Sequence, residues 1–199
     1  VGIIMRKIPK ILHTYWDRSP MSWLQALTVV SFRRYNSDWV INVYVPKQSY
    51  TGSSRYIPNY SGKDYFYLVE QNKSVNIIEV DLNDYDINPD LHNILRSDIL
   101  RYHLLYEQGG VWSDFDVLWL RPMEHFRNIE YYGDTDIDEV NTIVSLIKET
   151  EGGHSIGVMV HAKHDPYALE LINLTKQVKP PYSHEIFGSV MISAKYPTM

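Results

Sequence analysis

No cysteine occurs among the 199 residues, which excludes disulfides, thiolate nucleophiles and zinc sites built on cysteine, and leaves the compartment undetermined. Long apolar runs are missing as well. The opening Val-Gly-Ile-Ile-Met is interrupted by Arg6 and Lys7, too early for a signal-peptide core or a bilayer span. The expectation is a soluble, cytoplasmic, monomeric chain without a transmembrane segment. Basic charge is in deficit, with 19 Lys and Arg against 24 Asp and Glu and a net charge of -5. That balance argues against nucleic acid as a partner but leaves room for one phosphate-bearing ligand. With no internal repeat, low-complexity tract or linker either, residues 1–199 read as a single domain that can belong to a longer protein.

What is present is a composition of 44% apolar and 22% charged residues, that of a globular domain with a full core. Residues 10–16, 39–45 and 75–81 are β-branched or apolar runs of strand length. Helices are expected over 18–36, with Ser19 as N-cap, Pro20 at the first position and Trp23, Leu27 and Val30 on one face, and over 97–108, with Ser97 as N-cap and Gly109 as the C-terminal stop. Residues 111–114, 141–146 and 155–162 read as strands, and 164–178 as a helix capped by Asp165 with Pro166 in its first turn. The alternation indicates an α/β fold, with a central mixed, mostly parallel sheet flanked by helices.

Within Glu-Gln-Gly-Gly-Val-Trp-Ser-Asp-Phe-Asp-Val-Leu-Trp-Leu, residues 107–120, Asp114 and Asp116 stand among large apolar residues that are expected to press both against the core. Two carboxylates so close at a strand end repel unless a cation compensates them, and a hard divalent ion such as Mg2+ or Mn2+ suits that role. An ion held by so few protein groups completes its shell with water and a diphosphate, which points to a nucleotide-type donor. The same spacing recurs at Asp84/Asp86, Asp134/Asp136 and Asp136/Asp138, but there in polar, turn-forming surroundings where aspartate is ordinary loop chemistry. Asp98 and Arg101, three apart on the preceding helix, share a face and can pair with no function implied. His103 is expected to pack near Tyr106, and His154, His161 and His164 match no standard metal-site spacing.

Taken together, Arg-Ser-Asp-Ile-Leu-Arg, the Gly-Gly turn and Asp-x-Asp (residues 96–116) and the opening Ile-Pro-Lys-Ile-Leu-His-Thr-Tyr-Trp (residues 8–16) resemble the Asp-x-Asp-containing sugar-binding glycosyltransferase family. That family includes initiating mannosyltransferases and is similar to the clostridial glucosylating toxins. The resemblance covers residues 8 to about 122. It implies a GT-A glycosyltransferase fold and transfer of a hexosyl group from a UDP-sugar to a glycan or glycoprotein acceptor with retention of configuration, assisted by Mn2+ or Mg2+. Carried over by residue, it implies that Trp16 and Tyr15 lie at the nucleotide, that Asp98 and Arg101 bind donor hydroxyls and that Asp114 contacts the ribose or sugar. Asp116 would bind the metal with Asp114 beside it, Ser97 and Trp112 would line the pocket, and Asp114, Asp116 and Arg101 would carry catalysis. The family's Asn before a Met-containing strand is absent, Ser155, Ile156 and Gly157 standing there instead, and its late Gly-Pro segment is replaced around Gly188 and Ser189. Two alternatives remain at this point. One is a phosphohydrolase of the haloacid-dehalogenase type, with Asp114 as covalent nucleophile. The other is a sugar-nucleotide-binding module without turnover.

Overall fold

The computed structural model describes residues 8–47, 60–88, 91–124, 142–144 and 156–176. Its strands follow the apolar runs: β1 (Ile11–Tyr15), β2 (Val40–Pro46), β3 (Val75–Val80), β4 (Gly110–Ser113), β5 (Thr142–Val144) and β6 (Val158–His161). The helices are α1 (Trp23–Tyr35), a short α2 (Tyr67–Glu70), α3 (Asn93–Gln108) and α4 (Pro166–Thr175), with a 3-10 turn at Leu82–Tyr85. The strands form one six-stranded sheet in the order β3-β2-β1-β4-β6-β5. β3, β2, β1 and β4 pair in parallel, and β6 runs antiparallel to both of its neighbours.

Sequence accounts for the placement. β2 is buried from Ile41 to Pro46, as a near-continuous apolar strand covered on both faces should be. β3, at the edge, turns Asn76, Ile77 and Glu79 to solvent. α3 and α4 pack one face of the sheet around Tyr15, Tyr44, Trp112 and Met159, while α1 and α2 cover the other around Leu12, Val43, Val111 and Val160. Among the described residues no helix is long and apolar enough to cross a membrane.

Several local expectations need correction. α1 starts at Trp23, not near Ser19, because Ser22 and Gln25 form a reciprocal capping box. Ser19 instead donates its N–H and hydroxyl to Asp17. The buried face of α1 is Ala26, Thr28, Val29 and Phe32, and Trp23 and Val30 are exposed. α3 begins at Asn93 with the His92 ring as cap, which leaves Ser97 inside the helix rather than at its start. After Asp116 the chain alternates along α1: Trp119 turns inward against Phe32 and donates its backbone N–H to Ser31, while Leu118 and Leu120 face solvent. These two leucines therefore do not press the aspartates inward. The caps of α4 at Asp165 and Pro166 and the stop of α3 at Gly109 are as expected.

The turn from α3 into β4 leaves no room for side chains. Gly110 has φ 104°, and a Cβ there would lie 2.5 Å from the Ile11 carbonyl oxygen. Gly109, at φ 67°, would bring a Cβ to 2.6 Å from the Lys163 backbone nitrogen. Both strain and overlap therefore oppose substitution. Gly110→Ala is expected to cost about 2 kcal/mol or more in urea unfolding, and an unchanged midpoint would mean that β1 and β4 can separate freely.

Candidate active site

Along the parallel part of the sheet, successive strands run outward from β1 towards β3 on one side, and β4 lies on the other. The order reverses between β1 and β4, and ligands of open α/β sheets bind outside the carboxyl ends of strands at such a point. Trp16 follows β1 there and Asp114 follows β4. α3 runs back from this crevice to the Gly109 turn, so its Asp98 and Arg101 lie near the end that β4 returns to.

Arg101 joins these elements. Its Nη2 lies 3.0 Å from Asp98 Oδ1 and 2.8 Å from Asp114 Oδ1. Its Nη1 donates to the Ile156 carbonyl, and the guanidinium sits 4.8 Å from the centroid of the Trp112 ring. Trp112 Nε1 donates to the same Asp114 oxygen at 2.7 Å. The Asp114 backbone N–H is held by the Gly157 carbonyl at 2.8 Å. A buried guanidinium requires such compensation, and a planar fork can meet several acceptors together.

The two aspartates of the motif differ in setting. Asp114 is about a third exposed at 34%, with Oδ1 committed to two donors and Oδ2 without a hydrogen bond among the described residues. Phe115 between them is buried, and Asp116 is exposed with no ion pair or hydrogen bond among the described residues. Burial raises the Asp114 carboxyl above the ordinary range, Arg101 and the Trp112 N–H pull it back, and Asp116 pushes it up again. Burial likewise raises Asp98 to about 7, against the pull of Arg101 and with help from Asp114. The donor set left open, the two Asp116 oxygens and Oδ2 of Asp114, consists of hard oxygens and suits a Mg2+ or Mn2+ ion.

The other expected residues have these places. Trp16 is nine-tenths buried, donates its indole N–H to the Ser19 carbonyl at 2.7 Å and meets Phe115 edge-on at 5.2 Å. Tyr15 is buried on the α3 side, its hydroxyl pushed up to about 12 by burial and drawn down by the nearby Arg96. Trp112 is fully buried and orients Asp114 and Arg101. Ser97 is partly buried on α3. Sequence reasoning missed Arg96, a fully buried guanidinium whose Nε donates to the Leu91 carbonyl at 2.8 Å. An arginine on the inward face of an amphipathic helix was the available signal.

Of the decoy pairs, Asp84 and Asp86 are exposed around the 3-10 turn, with Asp86 at φ 55° as its left-handed terminus. Asp134, Asp136 and Asp138 lie outside the described residues, as do His154, Ser155, Gly188 and Ser189. His103 packs edge-on to Tyr85, His161 pairs with Asp165 at 2.7 Å, and His164 meets Tyr106.

The raised Asp98 pKa carries a sign. Between about 3.8 and about 7 the folded chain holds a proton that the unfolded chain has released, so this group's contribution to stability is lost as pH rises through that window. Asp98→Asn is therefore expected to flatten the fall in melting temperature between acid and mildly alkaline buffer, measured with chelator present. Parallel curves for the two proteins would contradict the assignment.

Comparison with known proteins identifies the family and the fold. Residues 24–151, more than half the chain, match the sequence profile described as the glycosyltransferase sugar-binding region containing the DXD motif. The initiation-specific alpha-1,6-mannosyltransferase of Saccharomyces cerevisiae is 24% identical over 193 residues, which cover 85% of this chain and 36% of the relative. The chain thus spans about a third of that relative's length. Among solved structures, the PaToxG glycosyltransferase superposes with a TM-score of 0.59 at 15% identity, covering 96% of this chain and 71% of the other. The ligand-free glycosyltransferase domain of the YGT toxin gives 0.51 at 12% identity, covering 98% and 69%. The fold is GT-A, and the chain belongs to the family of glycosyltransferases with a DXD-containing sugar-binding region.

Proposed function

We propose that this domain transfers a hexosyl group from a UDP-sugar to a hydroxyl of a glycan or glycoprotein acceptor, with retention of configuration and with Mn2+ or Mg2+ bound. The observation that carries the reading is the split between the two aspartates. Asp114 is clamped by Arg101 and Trp112, whereas Asp116 and the second oxygen of Asp114 are open beside it at the switch point of the sheet.

In this reading Asp116 and the open oxygen of Asp114 hold the cation. When bound, the cation offsets the negative charge that builds on the departing diphosphate. Arg101 Nε is a buried donor without a hydrogen-bond partner among the described residues, which suits it to an oxygen of the sugar donor. Asp98, held against Arg101, would accept from sugar hydroxyls, and Asp114 would contact the ribose or the sugar. Trp16, Tyr15, Ser97 and Trp112 would form the surrounding wall. The mannosyltransferase activity in the yeast relative's name supports hexosyl transfer in general.

The phosphohydrolase alternative loses its basis. The family match over residues 24–151 includes Asp98, Arg101, Asp114 and Asp116 together.

Calorimetric titration with UDP, GDP and CMP, each with and without Mn2+, tests the proposal against wild type and Asp116→Ala. UDP is expected to bind at least about tenfold more tightly with the ion, and Asp116→Ala should lose that gain without a lower melting temperature. Equal binding of all three nucleotides, independent of metal, would sink the UDP-sugar reading.

A further inference from the structure

On the α3 face of the sheet lies a connected set of polar groups that the reaction does not use, with His13, Asn42 and Tyr44 buried, Gln108 half-buried and Asn76 on the exposed edge strand. His13 Nε2 is 2.9 Å from the Gly109 carbonyl oxygen, and its Nδ1 is 3.1 Å from the Tyr44 hydroxyl. Asn42 and Gln108 donate their amides to that hydroxyl at 3.4 Å and 3.3 Å, and Asn76 donates to the Asn42 carbonyl oxygen at 3.0 Å. His13 is fully buried, and burial lowers its pKa to about 4 although the Gly109 contact opposes the shift.

Only one arrangement of protons satisfies every member. A carbonyl oxygen accepts but cannot donate, so His13 must carry its hydrogen on Nε2. Nδ1 is then an acceptor, and Tyr44 must give it the hydroxyl hydrogen. Having donated, the Tyr44 oxygen is free to accept from Asn42 and Gln108. The chain of donors therefore runs from β3 through β2 and β1 and ends on a single backbone carbonyl, that of Gly109.

Gly109 is the residue between α3 and β4. One residue therefore separates the helix that carries Asp98 and Arg101 from the strand that leads to Asp114. At φ 67° Gly109 adopts a conformation that a side-chain-bearing residue would seldom visit; the Leu105 carbonyl holds its N–H, and His13 holds its carbonyl. His13 also stands directly opposite Trp112 in the β1–β4 pairing, and Trp112 donates to Asp114.

We propose that His13, as its Nε2–H tautomer, is a positioning residue that anchors the Gly109 carbonyl and so sets the seating of α3 on β4 that keeps Arg101 and Trp112 on Asp114. Its catalytic consequence rests on the glycosyltransferase reading above, whereas its structural consequence does not.

The test uses the ligand-free chain first. Long-range proton–nitrogen spectra of wild type should show His13 neutral and protonated on Nε2 at pH 7, and the Nδ1–H tautomer or an imidazolium would overturn the proposal without any variant. His13→Gln can place an amide N–H where Nε2–H was, whereas His13→Asn reaches only the Nδ1 position. The Trp112 indole N–H resonance, assigned with Trp112→Phe, should keep its position and slow exchange in His13→Gln. In His13→Asn it should move and exchange about tenfold faster. Identical behaviour in the two variants, or a change in melting temperature with no change in the indole signal, would also overturn it.

Hydrolysis of UDP-glucose, UDP-galactose and GDP-mannose supplies the kinetic readout. For whichever donor wild type hydrolyses, His13→Asn should lose about tenfold in kcat with donor KM within about twofold, and His13→Gln should stay near wild type. A rise in KM alone, or equal losses in the two variants, would count against His13 as a positioning residue. If wild type hydrolyses none of the three, the donor reading falls, and the indole resonance still decides the role of His13.

Discussion

The site depends on one buried cation. The Arg101 side chain is 2% exposed, and a guanidinium removed from water survives only where acceptors surround it. Those acceptors come from three parts of the fold: Asp98 from its own helix, Asp114 from the end of β4, and the Ile156 carbonyl from the approach to β6. Trp112 adds its ring face to the guanidinium and its N–H to Asp114, so cation and carboxylate are held by the same side chain. Helix, parallel strand and antiparallel strand are thereby fixed to each other around one charge.

Sharing Arg101 between two carboxylates also sets their chemistry. One guanidinium cannot fully offset both, and burial raises Asp98 and Asp114 together. Phe115 turns into the core and leaves Asp116 in solvent. β4 ends at Ser113 and residues 115–116 form a turn, and this break in the strand divides the motif: one carboxylate is spent on internal order, and the other is available to a ligand.

The parallel half of the sheet was legible because its strands are apolar runs of the right length, and Asp165–Pro166 and Gly109 mark helix ends by simple backbone chemistry. Ser22 was missed in favour of Ser19 because both precede the same helix, and only the reciprocal bond with Gln25 distinguishes them. In the site, spacing alone puts Asp98 and Arg101 on one face. Joining them to Asp114 took the family resemblance, because the contact is formed across a turn. The holds from Ile156 and Gly157 were beyond reach, since a backbone carbonyl looks the same at every position. Of the departure noted at Ser155-Ile156-Gly157, the described residues Ile156 and Gly157 make their contacts through the main chain. Leu118 and Leu120 misled because an apolar run does not say which of its alternate members points inward.

The antiparallel strand β6 has a consequence for the order in which the molecule can be built. Asp114 and Arg101 both rely on carbonyls at Gly157 and Ile156, more than forty positions further along the chain. A ribosome adding roughly 5–20 residues per second reaches them only seconds after the motif itself has been made. Through that interval β4 has an unpaired edge on the side β6 will occupy, and Arg101 lacks its backbone acceptor. The nascent domain is thus exposed to mispairing at the strand that leads to its candidate site, and closure of the sheet by β6 is what ends that exposure.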